Sequence, residues 1–520
     1  MREDENTQAP QPDDAYHEQH QTQDFPAYEP PPPVAQHPGP PQWATAPVVA
    51  RPRVREAAVL GVSIGMSLAL VLGLPAAVVA WTPVGEWIGI TQPDNATAAI
   101  AQAGQAGADA AEQAVDLREA AVFLHSNDAK GNEIVAFSRA QDGKLTEVGR
   151  FATGGLGSGT AEDNSNALVL GTAEGEASPI QNVDKAEFLF VPNGGDNTVS
   201  VMKINADGLE LVSRVPSGGE KPVSLAVNRG LLYVLNSGEF DDRLILGPAE
   251  GLENCTTGHL PSVTGFKVSQ DGQLSQIPGS TRLLTGEQNS GCAQVGFTPD
   301  GRTLVVTERI AGDATGEGGW AKGAIVTFPV RQDGTLGAAI VNIPTGNGPY
   351  SFSFAEDGTM VTTEQNGAFL NFQGGYAANY RVNPDSSLTP VGGSVANQGT
   401  DPCWIVISDQ QVAFVASPFG GGQIGSYSIN QDGTLTLLHA AATAADGRDH
   451  VNDGVPDGIF DLGLSRDSRY LYQLNGLDGG LYVFQVNANA TLTLIEKHEV
   501  FNLRPFGMGG EGGPAGIATF

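Results

Sequence analysis

The chain has 520 residues, of which 68 are Gly and only 16% are charged, a composition that fits a large, turn-rich all-β body rather than a helical one. Asp and Glu outnumber Lys and Arg 58 to 27, for a net charge of −31; this argues against a nucleic-acid partner, since phosphate binding needs clustered Lys and Arg. Three Cys supply neither a disulfide framework nor a CxxC metal site.

Residues 1–55 open the chain with a Pro-rich acidic tail that includes the run Pro30 to Pro33. Such a segment buries too little apolar surface to offset its conformational entropy, so disorder is expected. Arg51, Arg53 and Arg55 close it, and Ala57 to Trp81 follows without a charge. As a helix this run would reach about 37 Å, enough for a hydrocarbon core of about 30 Å. Residues 56–82 are therefore expected to form a transmembrane signal-anchor helix. The three Arg before the span, with Glu86 and Asp94 after it, keep the N-terminus cytoplasmic and put the rest outside. The competing reading is a cleaved signal peptide, for which Val78-Val79-Ala80 is an acceptable site. Residues 83–118, rich in Ala and Gln, read as a stalk.

From residue 119 to Phe520 a phrase returns seven times: a strand, a turn on Asp-Gly or a polar equivalent, a Leu, and another strand. The copies centre on Asp142-Gly143, Asp207-Gly208, Asp271-Gly272, Asp333-Gly334, Asp385-Ser386, Asp432-Gly433 and Asn489-Ala490. Their Leu residues are 64, 65, 62, 52, 47 and 57 positions apart. Four strands per unit, lettered A to D, at the ~40–50-residue period of propeller units with the extra length going into loops, predict a seven-bladed β-propeller. Asp-Gly marks the C–D hairpin because Gly accepts the positive φ that the turn demands. The second strand of each unit is the plainest: Ala121–Leu124, Glu187–Val191, Leu231–Leu235, Thr303–Thr307, Thr359–Thr363, Val412–Ala416 and Tyr470–Leu474. The first unit lacks a strand A, whereas 512–520 supply a strand A with no B. The C-terminal strand is therefore expected to complete the first blade and close the ring.

In a four-stranded blade the A–B and C–D turns share one face, and the B–C and D–A connections share the other. Long connections at Ser237 to Ser262, Arg309 to Lys322, Gln365 to Asn379 and Ala442 to Pro456 make the second face the place to look for a site. The ends of the B strands carry a polar ring toward it: His125 and Asn127, Asn193, Asn236, Glu308 with Arg309, Glu364, Ser417 and Asn475. Asn and Ser at strand ends commonly cap turns. Glu308 and Glu364 stand out as carboxylates from adjacent blades that could tune each other for acid–base work. Asp446, Asp449, Asn452, Asp453 and Asp457 fail the EF-hand spacing and read as a solvated acidic loop; Gly507 to Gly512 matches GxGxxG without its strand-to-helix context. No metal or cofactor is implied. Cys255 and Cys292 could pair or remain free thiols, and Cys403 reads as a buried thiol.

The stretch Gly291-Cys292-Ala293-Gln294-Val295-Gly296-Phe297-Thr298-Pro299-Asp300-Gly301-Arg302-Thr303-Leu304-Val305-Val306-Thr307-Glu308 resembles the seven-bladed lactonase family, which holds propeller-type 6-phosphogluconolactonases and carboxymuconate lactonizing enzymes. The resemblance covers about residues 119–520. It implies metal-free opening or closing of a sugar or organic-acid lactone. Glu308 matches the acid that ends the family's strand B, and the family's strand-A His falls on Gln294, which can donate a hydrogen bond but cannot act as a base. The candidate catalytic set joins Glu308 and Gln294, which the resemblance marks, to Arg309 and Glu364 from the strand-end ring, with His125, Asn127, Asn193, Asn236 and Asn475 of that ring as binding residues. The alternative is a non-catalytic surface propeller that binds a protein or glycan through its loop-rich face, with Trp320 and Tyr376 as contacts.

Overall fold

The structure is a computed structural model that describes residues 116–520, apart from 160–163, 173–185, 239–259, 287–289, 310–321, 367–373, 419–421, 444–457, 477 and 503–512. Its regular elements are β-strands arranged in seven antiparallel sheets of four or five strands. Each sheet is one blade. Among the described residues no helix is long and apolar enough to cross a membrane. The expected anchor at 57–81, the tail before it and nearly all of the stalk lie outside the described residues. So do Cys255, Trp320, the acidic loop at Asp446–Asp457 and the Gly507–Gly512 stretch. Asp116–Arg118, at the end of the expected stalk, already pack onto the body: Leu117 is buried, and its amide donates to Ala206 O at 3.0 Å.

Blade 1 is built from B (Ala121–His125), C (Glu133–Arg139), D (Leu145–Ala152) and, from the far end of the chain, A (Ile517–Thr519). The last strand pairs with the first in antiparallel register, Leu124 opposite Ile517 and Phe123 opposite Ala518. The other six blades each take their strands from one continuous segment. Their A and B strands are Val169–Gly171 with Phe188–Asn193 (blade 2), Pro222–Asn228 with Leu231–Asn236 (blade 3) and Cys292–Phe297 with Thr303–Glu308 (blade 4). Blades 5 to 7 use Pro349–Phe354 with Met360–Glu364, Ile405–Ile407 with Val412–Ser417, and Ile459–Leu464 with Tyr470–Asn475. The B strands run one or two residues further than the apolar pattern suggests, so His125, Asn193, Asn236, Glu308, Glu364, Ser417 and Asn475 are the last residues of these strands, while Asn127 and Arg309 lie just beyond them.

Apolar side chains pack between neighbouring blades. Val223, Tyr233 and Leu235 of blade 3 meet Val295, Phe297 and Leu304 of blade 4. Across the closure, Tyr472 and Leu474 of blade 7 meet Val122, Leu124 and Ile517 of blade 1. Burying these faces removes apolar area from water at about 25 cal/mol per Å², and a closed ring leaves no blade with an open face.

The Asp-Gly turns also join blades. Gly143, Gly272, Gly334 and Gly433 have φ between 80° and 87°, the left-handed residue of a three-residue hairpin loop. The preceding blade presses on them: a Cβ on Gly143 would lie 2.2 Å from the Tyr470 ring, whose hydroxyl donates to Gln141 O at 3.0 Å. In blade 3 Leu231 takes the place of Tyr470 against Gly334, and Tyr233, two residues on, donates to Gly334 O at 2.6 Å. The Asp before each Gly caps its own turn, as where Asp333 Oδ1 accepts from Thr335 N at 2.9 Å, and these bonds hold the Asp333 carboxyl below its ordinary pKa.

Candidate functional site

One rule accounts for most of the polar ring. The last residue of strand B bonds to the D–A connection that enters its own blade. In blade 2, Asn193 Oδ1 accepts from Thr153 Oγ1 at 2.8 Å and from Asn132 Nδ2 at 2.8 Å. In blade 3, Asn236 Nδ2 donates to Ser217 O at 3.4 Å. In blade 6, Asn397 Nδ2 donates to Ser417 Oγ at 3.0 Å. In blade 1, His125 Nδ1 lies 2.9 Å from Ala515 O, and its Nε2 lies 2.7 Å from Asn132 Nδ2. A carbonyl oxygen can only accept, so Nδ1 carries the proton and Nε2 accepts from the Asn132 amide. In blade 7, Asn475 Oδ1 also accepts from Asp478 N at 3.0 Å, within its own blade. Asn127 latches the connection after blade 1 from both ends: its Nδ2 donates to Ser158 Oγ at 2.9 Å and its Oδ1 accepts from Ser158 N at 2.8 Å. Gly157 makes this approach possible, as a Cβ there would sit 2.0 Å from the Asn127 carbonyl carbon.

Glu308 and Glu364 occupy the same position in blades 4 and 5. Both are fully buried. The Glu308 carboxylate accepts from Ser290 Oγ at 2.6 Å, Thr285 Oγ1 at 3.0 Å and Thr285 N at 3.0 Å. Cys292 stands directly opposite it in the sheet and takes part in a disulfide; Cys403 is a free buried thiol. Glu364 accepts from Gly346 N at 2.8 Å, from Tyr380 Oη at 3.2 Å and from Ser394 Oγ. Burial raises the Glu364 pKa, and these donors pull it only part of the way back. Burial likewise raises the Tyr380 pKa.

Arg309 is buried next to Glu308, and its amide donates to Gly291 O at 3.1 Å. Gln294 lies in a strand-A bulge between Cys292 and Val295. Its Nε2 donates to Phe352 O at 2.9 Å and its Oε1 accepts from Phe352 N at 2.8 Å, so the amide side chain extends a backbone ladder into blade 5. The hydrogen bonds described for Glu308, Glu364 and Gln294 share no partner. Tyr376, expected in a long loop, is the first residue of strand C of blade 5 (Tyr376–Val382) and sits opposite Glu364. Among the described residues no three His, Cys, Asp or Glu gather as a metal site requires.

Asp461 is a buried titratable residue outside the ring that the sequence reading does not single out. Asp461 lies in strand A of blade 7, where its Oδ2 accepts from Ile517 N of the closing strand at 3.1 Å and its Oδ1 from Leu462 N at 2.8 Å. Burial pushes its pKa up to about 7 against these two bonds. The signal was available: a single charge inside the apolar run Ile459-Phe460-Asp461-Leu462-Gly463-Leu464.

With this architecture in view, the chain can be set beside solved structures. A periplasmic gluconolactonase of Pseudomonas aeruginosa superposes with a TM-score of 0.51 at 14% identity, covering 77% of this chain and 98% of that one. The chain has the fold of the propeller lactonases. A provisionally assigned 6-phosphogluconolactonase of Bacteroides fragilis gives 0.50 at 16% identity with the same coverage. A hypothetical selenium-binding protein of Sulfolobus tokodaii gives 0.50 at 11%, over 77% of this chain and 93% of that one. No protein-family model matches the sequence, and no curated protein matches it. Neighbours with such different descriptions show that the shared feature is the scaffold, and that activity must be argued from the site.

Proposed function

We propose that this propeller is a lactonase-like hydrolase that opens the ring of a sugar or organic-acid lactone outside the cytoplasm, tethered by residues 57–81. The observation that carries the reading is the Glu308 carboxylate: buried on the face of the B–C and D–A connections, and oriented by two hydroxyls and an amide. Ester-ring hydrolysis needs a base to take a proton from the attacking water and a donor for the oxyanion on the former carbonyl. Glu308 is the base. Arg309, its neighbour on the same strand end, is the cationic donor, because the Gln294 amide is engaged with Phe352. Glu364, buried at the matching strand end of the next blade, is the positioning group. The disulfide at Cys292 supports the extracytoplasmic reading, since such bonds persist in oxidising compartments.

The test is turnover of a panel of sugar and organic-acid lactones by the full chain, followed by acid release. Glu308→Gln should lower kcat/KM at least about 100-fold, within the range by which a positioned base contributes, while leaving the thermal midpoint within a few degrees. If no lactone in the panel is opened, the reading fails and the second one stands: a non-catalytic propeller holding a protein or glycan on the same face.

A further inference from the structure

Strand D of blade 1 ends at Ala152 and strand A of blade 2 begins at Val169. Just before that strand, three residues bond to strand A, the inner strand, of blades 3, 4 and 5 and to the residue that leads into strand A of blade 6. Asn164 Nδ2 donates to Val223 O of blade 3 at 2.8 Å, and Asn164 O accepts from the indole N–H of Trp404, which leads into the blade 6 inner strand, at 2.7 Å. Ser165 N donates to Ala293 O of blade 4 at 3.1 Å, Ser165 Oγ lies 3.2 Å from Ser351 Oγ of blade 5, and Ser165 O accepts from Ser224 Oγ of blade 3 at 2.6 Å. Asn166 O accepts from Leu225 N of blade 3 at 3.0 Å, while its Nδ2 donates to Val295 O of blade 4 at 3.3 Å.

Three residues span at most about 10 Å. Blades 3 and 6 are separated around the ring by blades 4 and 5. A segment this short that touches the inner strands of blades 3 to 5 and the entry to that of blade 6 lies across the space they enclose, which is the propeller axis. Asn164 and Ser165 are buried. The Trp404 indole is held for its bond by the Phe460 ring, stacked at 5.6 Å, and by Tyr350, edge-on at 5.5 Å.

We propose that Asn164-Ser165-Asn166 is a permanent plug of the axial channel, so that whatever binds the loop-rich face binds outside the plug and never in the axis. The backbone oxygens of all three residues and the Ser165 amide are bonded to neighbouring blades. Withdrawing the segment would strip partners from buried groups on those blades, the Trp404 N–H and the Ser224 hydroxyl among them, a cost that opposes any opening short of unfolding. The plug also deprives a ligand of the Ser351 hydroxyl, the Val223 carbonyl and the Ala293 carbonyl.

The test uses thiol labelling of the full chain, with the labelled site mapped by mass spectrometry so that native cysteines do not interfere. Ser165→Cys places a thiol in the plug, and Leu156→Cys places one on the same connection at a residue that is 39% exposed. A permanent plug predicts that position 165 labels at least about 1,000-fold more slowly than position 156, and that the gap closes only across the global unfolding transition. Rates within tenfold of each other in the folded protein would overturn the proposal and make the segment a gate. Should Ser165→Cys fail to fold, Asn164→Cys carries the same comparison. The readout is independent of lactone turnover, so either idea can fail alone.

Discussion

Asp461 is the residue whose chemistry is most exposed to test. Its carboxyl titrates near 3.8 in an unfolded chain and near 7 in the folded one, because burial outweighs the Ile517 and Leu462 amides that favour its ionised form. The folded protein therefore holds this proton more tightly than the unfolded chain does. That contribution is fully present below about pH 3.8 and is lost as pH rises through about 7. Asp461→Asn removes the titration while keeping the side-chain shape. In urea unfolding at pH 5.5 and 8.5, the wild type should lose about 2 kcal/mol more stability between the two pH values than the variant does. Equal losses in the two proteins would show that the carboxyl is not held in the apolar site described. Glu308 and Glu364 belong to the same scale. The sequence placed both at adjacent strand ends, but their hydroxyl and amide partners were not legible. Thr285, Ser290 and Ser394 carry no pattern of their own and acquire meaning only when a D–A connection folds back over a strand end.

At the scale of the element, the hairpin turns explain why the repeat could be read so early. The turn must place one residue at positive φ, and Gly does so without a Cβ penalty, which fixed Asp-Gly in four well-formed copies. Two copies keep the geometry without Gly: Ser386 has φ 70° and Ala490 has φ 63°. Both close the same loop, Ser386 N to Asn383 O at 2.8 Å and Ala490 N to Asn487 O at 2.9 Å. Ala490 thus carries a left-handed conformation that costs a non-Gly residue about 1–2 kcal/mol, partly offset by the greater freedom Gly brings to the unfolded chain. Ala490→Gly should raise stability by about 0.5–1 kcal/mol, seen as a higher urea midpoint with an unchanged slope. A lower midpoint would mean that the Ala490 methyl, which is buried, contributes more through packing than the backbone costs.

The strands themselves were legible because apolar runs broken by turns leave few alternatives. The exact B-strand ends were not, since a polar residue at the edge of an apolar run looks like loop until its backbone is paired. The segment at Asn164–Asn166 was invisible for a related reason. It has no periodicity, and its meaning lies wholly in which blades surround it.

For the whole molecule, everything depends on the ring being closed by its last strand. Closure brings Ala515 to His125 and Ile517 to Asp461, and it sets blade 7 against blade 1. It also fixes the circle of inner strands that the plug crosses and the face on which Glu308 sits. The sequence showed this directly, since a first unit without a strand A and a final strand without a B can satisfy one another. The seven-blade count follows from the same pairing.

The most direct measurement is a cross-link between the two ends of that ring. Leu124 and Ile517 are opposed in register, which puts their Cβ atoms about 4.5–5.5 Å apart, within reach of a disulfide after slight adjustment. In the double variant Leu124→Cys, Ile517→Cys, mild oxidation should form the 124–517 bond nearly quantitatively in the folded protein, as mapped by mass spectrometry, and should raise the unfolding midpoint. The control pair Leu124→Cys, Thr519→Cys, displaced by two residues along the strand, should not cross-link. Failure of the first pair to form its bond, or equal yields from both, would contradict the closed seven-bladed ring.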